Sequence, residues 1–553
     1  MITRLRGGLV YDPVNRLDGE QRDIYIRDGR IIAALHPSGD IDRDIDISGR
    51  IVMPGGIDIH SHIGGGKLNI ARMMLPEDHR RDPVMATRLT RAGCGHAAPS
   101  TLTTGYRYAA MGYTSCFEPA MLPANARQAH LEMADTPMLD TGAYAMLGND
   151  DFLLRMLSRR APQALINDYV AWTLHATQAI AIKVVNPGGI NAFKFNQRAL
   201  DLDDKNKHYG VTPRTILKSL TTALTQLGVP HPLHVHGCNL GVPGNLSTTL
   251  KTMAGVEGRP VHLTHIQFHS YGMEGDRKFS SGAAEIAEYI NAHPNISCDV
   301  GQVMFGQTVT ASGDNMMQYR SHKHAHPNKW VCMDIECDAG CGVVPFRYRD
   351  SSFVNALQWC IGLELFLLVD DPWRIFLTTD HPNGAPFTSY PHLIRLLMDK
   401  SFRDDMLHTI NRHARDASRL QGLEREYTLY EIAVITRAGP ATSLGLRDRG
   451  HLGAGAAADI TVYRDKKDRQ AMFEQPEYVF KDGEMVVRNG RIRHIHNGRT
   501  HTVKPDYDQG IERRLKAYFD RYHTMNLSNF RITDDELLDY GRTAIETHKL
   551  KRR

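Results

Sequence analysis

The chain has 553 residues, of which 42% are hydrophobic and 23% are charged, a composition typical of globular proteins. Its 66 Lys and Arg residues against 62 Asp and Glu residues leave a formal charge of +4, which favours neither nucleic acid nor a membrane as partner. The N-terminus lacks the apolar core of a signal peptide, and the eight cysteines show no regular pairing, so the expected compartment is the reducing cytoplasm. The most apolar run, residues 361–369, contains Glu364, and we expect no bilayer-spanning segment.

Short alternating strands and tight turns are predicted at both ends of the chain. They begin at Leu5 and continue to about Val52, with an Asp28-Gly29 hairpin turn before the apolar residues 31–34. The same pattern returns at residues 458–463 and 479–487. Neither end is long enough to bury a core alone, so we expect the two to pack together as one small β-domain.

Between these ends, short apolar strands alternate with helical stretches, the pattern of βα units around a parallel sheet. The predicted helices include residues 214–227, preceded by Thr212-Pro213 and closed by Gly228, and residues 283–292. The eight candidate strands are residues 57–62, 113–118, 141–147, 179–185, 232–236, 260–265, 296–300 and 375–380. Eight is the strand count of a TIM barrel, which keeps its active site at the C-terminal ends of the strands. The long connections after the first and seventh strands are therefore candidate substrate loops.

The first candidate strand carries the motif Asp58-Ile59-His60-Ser61-His62. Side chains alternate along a strand, so His60 and His62 share one face and can converge on one ion at its end. Further ligand-type residues follow at later strand ends: His234 and His236, then His265, then Asp380. Only one histidine of the fifth strand need bind metal, and His236 is preferred because it is nearer the end; His262 does not share a face with His265 and is interpreted as structural. Asp380 is the expected general base.

Lys183 lies within the apolar fourth strand, where a buried ammonium is costly. Carboxylation of its neutral amine by CO₂ would create an anion able to bridge two metal ions. The alternative is a lysine that reaches past the strand to pair with a carboxylate. Lys194 is the rival for the role of carboxylated lysine.

The motifs Pro54-Gly55-Gly56-Ile57-Asp58-Ile59-His60-Ser61-His62 and Gly453-Ala454-Gly455-Ala456-Ala457-Ala458-Asp459 resemble the two ends of the amidohydrolase superfamily. Narrower runs, Asn186-Pro187-Gly188-Gly189 and Cys238-Asn239-Leu240-Gly241, resemble the family of A subunits of formylmethanofuran dehydrogenases and of bacterial formyltransferase/hydrolase complexes. The resemblance implies an α/β fold with a (β/α)₈ TIM barrel and a small β-sandwich from both termini. The expected limits are residues 1–52 and 436–505 for the sandwich, 53–435 for the metal-dependent hydrolase barrel and 506–553 for a helical tail, with a docked helix near residues 510–523.

The family resemblance also implies a function and a ligand set. The implied reaction is hydrolysis of N-formylmethanofuran to formate and methanofuran at a binuclear zinc centre, within tetrahydromethanopterin-linked one-carbon metabolism. The formyl group would arrive through a separate formyltransferase protein of the same complex, so further subunits are expected partners. The residues that match the family's ligand pattern are His60, His62, Lys183, His236, His265 and Asp380, with His234 as the alternative in the fifth strand.

Basic residues in the two long connections are candidates for binding the acidic tail expected of a methanofuran-type substrate, because guanidinium groups suit carboxylates. Those of the substrate-binding set are Arg72, Arg80, Arg81 and Arg320, together with Asn239 of the fifth-strand loop. A solvated charged face is the alternative for each basic residue. The cluster Cys332, Cys337 and Cys341 does not have the usual Cys-x₂-Cys spacing, and metal binding there is disfavoured.

Two competing hypotheses remain from the sequence. One is another amidohydrolase activity, on cyclic imides or N-acyl amino acids, which would share the metal site and differ in its loops. The other is a non-catalytic barrel that serves as a scaffold, which should lack metal ligands. The six ligand-type residues argue against a scaffold.

Overall fold

The computed structural model describes residues 1–33, 41–333 and 340–551. Its central feature is a barrel of eight parallel strands, which confirms the predicted fold. The strands are Gly56–Asp58, Tyr113–Met121, Asp140–Leu147, Ala181–Val185, Leu233–His236, Val261–Leu263, Ile296–Asp299 and Ile375–Phe376. A parallel β-bridge between Ser61 and His381 joins the segment after the first strand to the segment after the eighth strand and closes the barrel.

Three strands end earlier than the sequence suggests, before the functional residues that they carry. The first strand stops at Asp58, so His60 and His62 lie beyond its regular pairing. The sixth strand stops at Leu263 and the eighth at Phe376, so His265 and Asp380 lie beyond regular pairing. Both have left-handed backbones, with φ of 37° and 50°. Such conformations are costly for residues other than glycine and are concentrated at functional sites.

The helices of the barrel follow the expected signals. The helix Pro213–Leu227 begins after Thr212, whose hydroxyl accepts from the backbone of Thr215, and ends at Gly228 with φ of 69°. Ala283–Ala292 is likewise helical. The remaining α-helices within the barrel part are Gly66–Met74, Thr101–Ala110, Ala126–Ala134, Asp151–Ser158, Gln163–Ala176, Gly189–Lys194, Leu246–Gly255, Asn315–Ser321, Phe353–Leu368, Tyr390–Met398, Lys400–Thr409, Arg412–Ala417, Leu429–Ala433 and Gly439–Leu444. None of the helices in the described ranges has the length and apolar character that crossing a membrane requires.

The two β-rich ends join in one nine-stranded sheet, as expected. Its strands are Ile2–Asp12, Leu17–Arg27, Arg30–Ile32, Arg43–Asp46, Arg50–Pro54, Ile460–Arg464, Tyr478–Lys481, Glu484–Arg488 and Arg491–Ile492. The junction is the antiparallel pairing of Arg50–Pro54 with Ile460–Arg464. The predicted hairpin turn is present, with φ of 50° at Asp28 and 75° at Gly29, whereas Ala34 lies outside the described residues.

The C-terminal segment packs on the barrel. Thr500–Thr502 and Ile545–Thr547 add two parallel strands beside the third barrel strand. The helix Ile511–Tyr522 lies between these two strands in the chain. Its Phe519 ring lies 6.4 Å from that of Trp172 in the helix Gln163–Ala176. The domain limits expected from the sequence remain predictions.

The connection between the seventh and eighth barrel strands builds a structure of its own above the barrel. It contains an antiparallel sheet of Gly306–Ser312, Cys341–Tyr348 and Val331–Met333. Leu68 and Ala71 of the helix Gly66–Met74 pack against Val309 and Val343 of this sheet. The two long connections therefore form one wall over the strand ends.

Candidate metal centre

A cavity of about 690 Å³ opens at the C-terminal ends of the barrel strands. Six ligand-type residues from five different strand ends line it together: His60, His62, Lys183, His236, His265 and Asp380. Each of their side chains is buried. The barrel brings together residues that are far apart in the chain, in the arrangement expected from the sequence.

Asp380 is the meeting point of the two histidines of the first strand. Its Oδ1 lies 2.9 Å from His60 Nε2 and 3.3 Å from His62 Nε2. His60 Nε2 nevertheless has no partner of hydrogen-bond geometry in the described part of the chain, and neither has His265 Nδ1. Buried imidazole nitrogens without hydrogen bonds beside a carboxylate are a suitable donor set for a divalent metal ion.

Three carboxylates stand behind these histidines and fix their orientation. His62 donates from Nδ1 to Glu118 at 2.8 Å, and His236 donates from Nε2 to Asp314 at 3.1 Å. His60 Nδ1 lies 3.2 Å from Asp299, which also accepts from the backbone N–H of His265 at 2.7 Å. A carboxylate on one ring nitrogen sets the tautomer and directs the other nitrogen to the metal.

The charge states of Glu118, Asp380 and Lys183 suit a metal site. Burial acts to raise the pKa of Glu118, but the adjacent His62 outweighs it and lowers that pKa to about 2. Burial would likewise raise the pKa of Asp380, whereas His60 and His265 hold it well below its usual range. Burial lowers the pKa of Lys183 to about 7. The carboxylates are therefore ionised, and a large fraction of the Lys183 amine is neutral, near pH 7.

The alternatives left open by the sequence occupy different places. His236 lines the cavity, while His234 lies deeper, with Nε2 2.9 Å from His60 Nδ1 and Nδ1 3.0 Å from His231 Nε2. Lys183 lines the cavity and the half-buried Lys194 does not. His262 hydrogen-bonds Ser297 and Asp299 outside the cavity. These positions favour His236 and Lys183 as ligands.

The predicted substrate-binding residues are divided by the structure. Arg320 lines the cavity. Four others are outside its lining: Arg72 binds the Pro99 carbonyl at 3.0 Å, Arg80 and Arg81 are exposed elsewhere, and Asn239 donates to Asp201 and Thr248. The structure also brings Lys67 and Lys323 of the same two long connections to the cavity, together with Arg347 and Arg349.

The cysteine cluster is only partly described. Cys332 and Cys341 are free thiols on adjacent strands, and Cys337 lies outside the described residues. Burial raises the pKa of both described thiols to about 11. They are therefore protonated at neutral pH in the metal-free protein.

A closed eight-stranded barrel with imidazole, amine and carboxylate groups converging at its C-terminal rim defines a metal-dependent hydrolase. The comparisons with known proteins specify the class. The model of the amidohydrolase family matches residues 43–494, and the chain belongs to this family.

The chain is similar over nearly its full length to known relatives. It is 43% identical to the A subunit of the formyltransferase/hydrolase complex Fhc of Methylorubrum extorquens over 97% of both chains. It is 41% identical to the protein FwdA of Methanocaldococcus jannaschii over 96% of both. It also matches a chain in the crystal structure of the Methylorubrum extorquens complex FhcABCD with methylofuran, with a TM-score of 0.94, 42% identity and full coverage of both chains.

Proposed function

We propose that His60, His62, Lys183, His236, His265 and Asp380 hold two divalent metal ions, with Lys183 as a carboxylated lysine. The supporting observation is that all six line one buried cavity. Zinc is the expected metal, because imidazole and carboxylate are its usual ligands in hydrolases. A carboxylated Lys183 would supply a bridging anion in place of a buried ammonium that repels metal ions.

We expect Glu118→Gln to lower the affinity for the metal about 10- to 100-fold, the usual effect of removing a residue that orients a ligand. The amide can still contact His62 but no longer carries the negative charge that holds its Nδ1–H. The measurement is metal titration of the metal-free protein against a competing chelator. Glu364→Gln is the matched control, because Glu364 is equally buried but binds Ser281 and the backbone of Arg419. Unchanged affinity in Glu118→Gln would contradict the proposed orientation of His62.

The proposed reaction is hydrolysis of the formamide C–N bond of N-formylmethanofuran to formate and methanofuran. The observation that carries it is the six-residue cavity in a chain that matches the A subunit of the Fhc complex over 97% of its length. We assign the chain the role of hydrolase in a multi-subunit formyltransferase/hydrolase complex of tetrahydromethanopterin-linked one-carbon metabolism, with a formyltransferase among its partners. The similarity to the FhcABCD structure supports this assignment.

Asp380 is the residue that moves the proton. When bound, the metal ions supply Lewis acidity and an activated water. Asp380 Oδ1 accepts from Asn383 at 2.9 Å and faces both histidines, so we assign proton transfer to Oδ2. Asp380 takes a proton from the attacking water and gives it to the amide nitrogen as the C–O bond forms and the C–N bond breaks. This step gives formic acid and the neutral amine, and transfer of the acid proton to the amine then gives formate and the protonated amine, which balances the atoms of one formamide and one water.

The mouth of the cavity suits an acidic substrate tail. Its basic side chains include Arg320, Lys323, Arg347 and Arg349, while Asp380 is the sole acidic residue among the lining residues that the structure describes. Such a one-signed lining concentrates anionic ligands. The arginines can in addition form paired hydrogen bonds with carboxylates.

The double variant Arg347→Glu with Arg349→Glu is expected to raise KM roughly tenfold and leave kcat nearly unchanged, because each exposed ion pair contributes about 0.2–1 kcal/mol. The increase should shrink in high salt. The measurement is steady-state formate release at two ionic strengths. The control is Lys251→Glu with Arg513→Glu, exposed residues away from the cavity whose replacement changes the net charge equally. Equal KM values in the two double variants would contradict a role of the cavity mouth in substrate binding.

The function is tested by metal analysis of the purified protein and a formate-release assay with N-formylmethanofuran, alone and with co-expressed partner proteins of the complex. We expect formate and free amine in equal amounts, with activity lost after chelation. Hydantoins, dihydroorotate and N-acyl amino acids serve as competing substrates. Hydrolysis of one of these without formate release from N-formylmethanofuran would replace the proposed reaction with another amidohydrolase activity.

A further inference from the structure

Lys67 is the other buried lysine of the cavity besides Lys183, and the metal centre proposed above does not use it. Its side chain is 5% exposed and lines the cavity together with His60, His62 and Asp380. The Nζ atom is buried without a hydrogen-bond partner in the described part of the chain. Lys67 is thus a buried donor in the wall of the cavity where the reaction is proposed to occur.

The position of Lys67 is fixed by the elements around it. It is the second residue of the helix Gly66–Met74. The backbone N–H of Gly65 donates to Glu132 at 2.8 Å, and that of Gly66 donates to Asn125 at 2.9 Å. The helix packs on the sheet above the barrel through Leu68 and Ala71. These contacts hold the backbone of Lys67 in the wall of the cavity.

The carboxylates near Lys67 are already engaged by other donors. Glu118 accepts from His62 and from the backbone N–H groups of Ile63, Gly64 and Ala120. Asp380 faces His60, His62 and Asn383. A buried amine or ammonium group is costly without a hydrogen-bond partner, and neither carboxylate supplies one. The N–H donors of Lys67 are therefore available to a group that enters the cavity during the catalytic cycle.

The depth of Lys67 decides which part of a substrate it can meet. The guanidinium groups of Arg347 and Arg349 are at exposed positions of the mouth, where a long acidic tail would be bound. Lys67 is buried among the proposed ligands, where the scissile formamide must lie for Asp380 to reach it. The partner at this depth is therefore a small group with one or two anionic oxygens.

We propose that Lys67 is a catalytic residue that binds the formyl oxygen as it becomes negative and then binds a carboxylate oxygen of the formate product. This inference rests on the proposed function. Nζ donates a hydrogen bond and keeps its hydrogens, so it adds no atom to the balance: one C–O bond forms, one C–N bond breaks, and the proton moves through Asp380. The same contact stabilises the transition state and the product, because both place negative charge on that oxygen.

The test compares Lys67→Met, which keeps the length of the side chain and removes its charge and donors, with Lys67→Gln, which keeps a donor. In Lys67→Met we expect kcat to fall about 10²- to 10³-fold, the usual effect of removing one donor to a developing oxyanion. KM should change far less, because the tail contacts are intact. Lys67→Gln should recover part of kcat. Lys251→Met, at an exposed position outside the cavity, is the control.

Formate binding supplies a second measurement that requires no substrate. Sodium formate is titrated into the metal-loaded protein while the melting temperature is recorded, with sodium chloride as the salt control. We expect formate to stabilise the unmodified protein and Lys251→Met, and to lose at least tenfold in affinity for Lys67→Met at unchanged metal content. Failure of the unmodified protein to release formate from N-formylmethanofuran would overturn the proposed function, whereas the titration would still test Lys67.

Two results would overturn the role of Lys67. One is formate affinity in Lys67→Met within twofold of that of the unmodified protein. The other is loss of bound metal in both Lys67→Met and Lys67→Gln, which would place the residue in the metal centre rather than against the substrate. If Lys67→Met does not fold, Lys67→Gln decides, because its shorter neutral amide should still weaken formate binding.

Discussion

Replacement of Asp380 by asparagine is expected to lower kcat about 10²- to 10⁴-fold, the range for loss of general acid–base catalysis. Asparagine keeps the shape of the side chain and an oxygen that can bind metal, but it cannot accept the proton of the attacking water or return one to the amine. Because the pKa of Asp380 is held well below its usual range by His60 and His265 against the effect of burial, the carboxylate form is present throughout the neutral range. The measurements are kcat from steady-state formate release, the rate constant of formate release in a single turnover, and metal content.

Asp150→Asn is the matched control for Asp380→Asn. Asp150 is also buried and hydrogen-bonded, to the backbone of Leu153 and to Tyr169, but it caps the helix Asp151–Ser158 outside the main cavity. Asparagine is an equally good N-cap, so this variant should keep kcat and metal content. Asp380→Asn with full metal content and kcat within threefold of the unmodified protein would remove Asp380 as the proton carrier.

The barrel could be predicted from the sequence because its signals are local. Strand residues alternate, helices begin and end at identifiable caps, and a parallel barrel must bring the C-terminal ends of its strands to one face. These rules suffice to bring His60, His62 and His236 to one cavity without knowledge of any contact. The left-handed turns that re-aim His265 and Asp380 beyond their strands carry no comparable signal.

The residues that orient the histidines were not found from the sequence, for a physical reason. Glu118 and Asp299 lie at strand ends, but which ring nitrogen each accepts depends on side-chain packing. Asp314 is the N-cap of the helix Asn315–Ser321 in the long connection, and a cap signal does not report that its carboxylate also reaches His236. The available signal was an acidic residue near the end of a neighbouring strand, and it could have identified Glu118 and Asp299.

Composition alone could not tell which basic residues of the long connections line the cavity. Lys67, Arg72 and Arg80 belong to the same stretch, yet one lines the cavity, one binds a backbone carbonyl, and one is exposed. The helix Gly66–Met74 decides this by the face it packs on the sheet above the barrel. That packing partner belongs to the other long connection, far away in the chain, so no local pattern reports it.

Lys183→Ala is expected to abolish tight metal binding and to lower kcat/KM on the order of 10³-fold or more, since metal ions contribute several kcal/mol to such reactions. Alanine removes the proposed bridging anion and leaves space in the cavity, so acetate or propionate should restore part of the metal content. The pKa of Lys183, lowered by burial to about 7, sets the pH dependence. Only the neutral amine combines with CO₂, so metal loading of the unmodified protein should fall as pH decreases below that value and should require dissolved CO₂.

Lys194→Ala is the control that separates the two candidate lysines. Lys194 ends the helix Gly189–Lys194 and is outside the cavity lining, so its replacement should leave metal content, CO₂ dependence and kcat/KM unchanged. Metal content is measured by elemental analysis after loading, and the carbamate is detected by carbon-13 NMR after loading with labelled bicarbonate. A labelled carbamate signal that survives in Lys183→Ala and disappears in Lys194→Ala would reverse the assignment. Full metal content in Lys183→Ala without added carboxylate would contradict a bridging role for Lys183, because nothing else in that variant could supply the missing anion from the fourth strand.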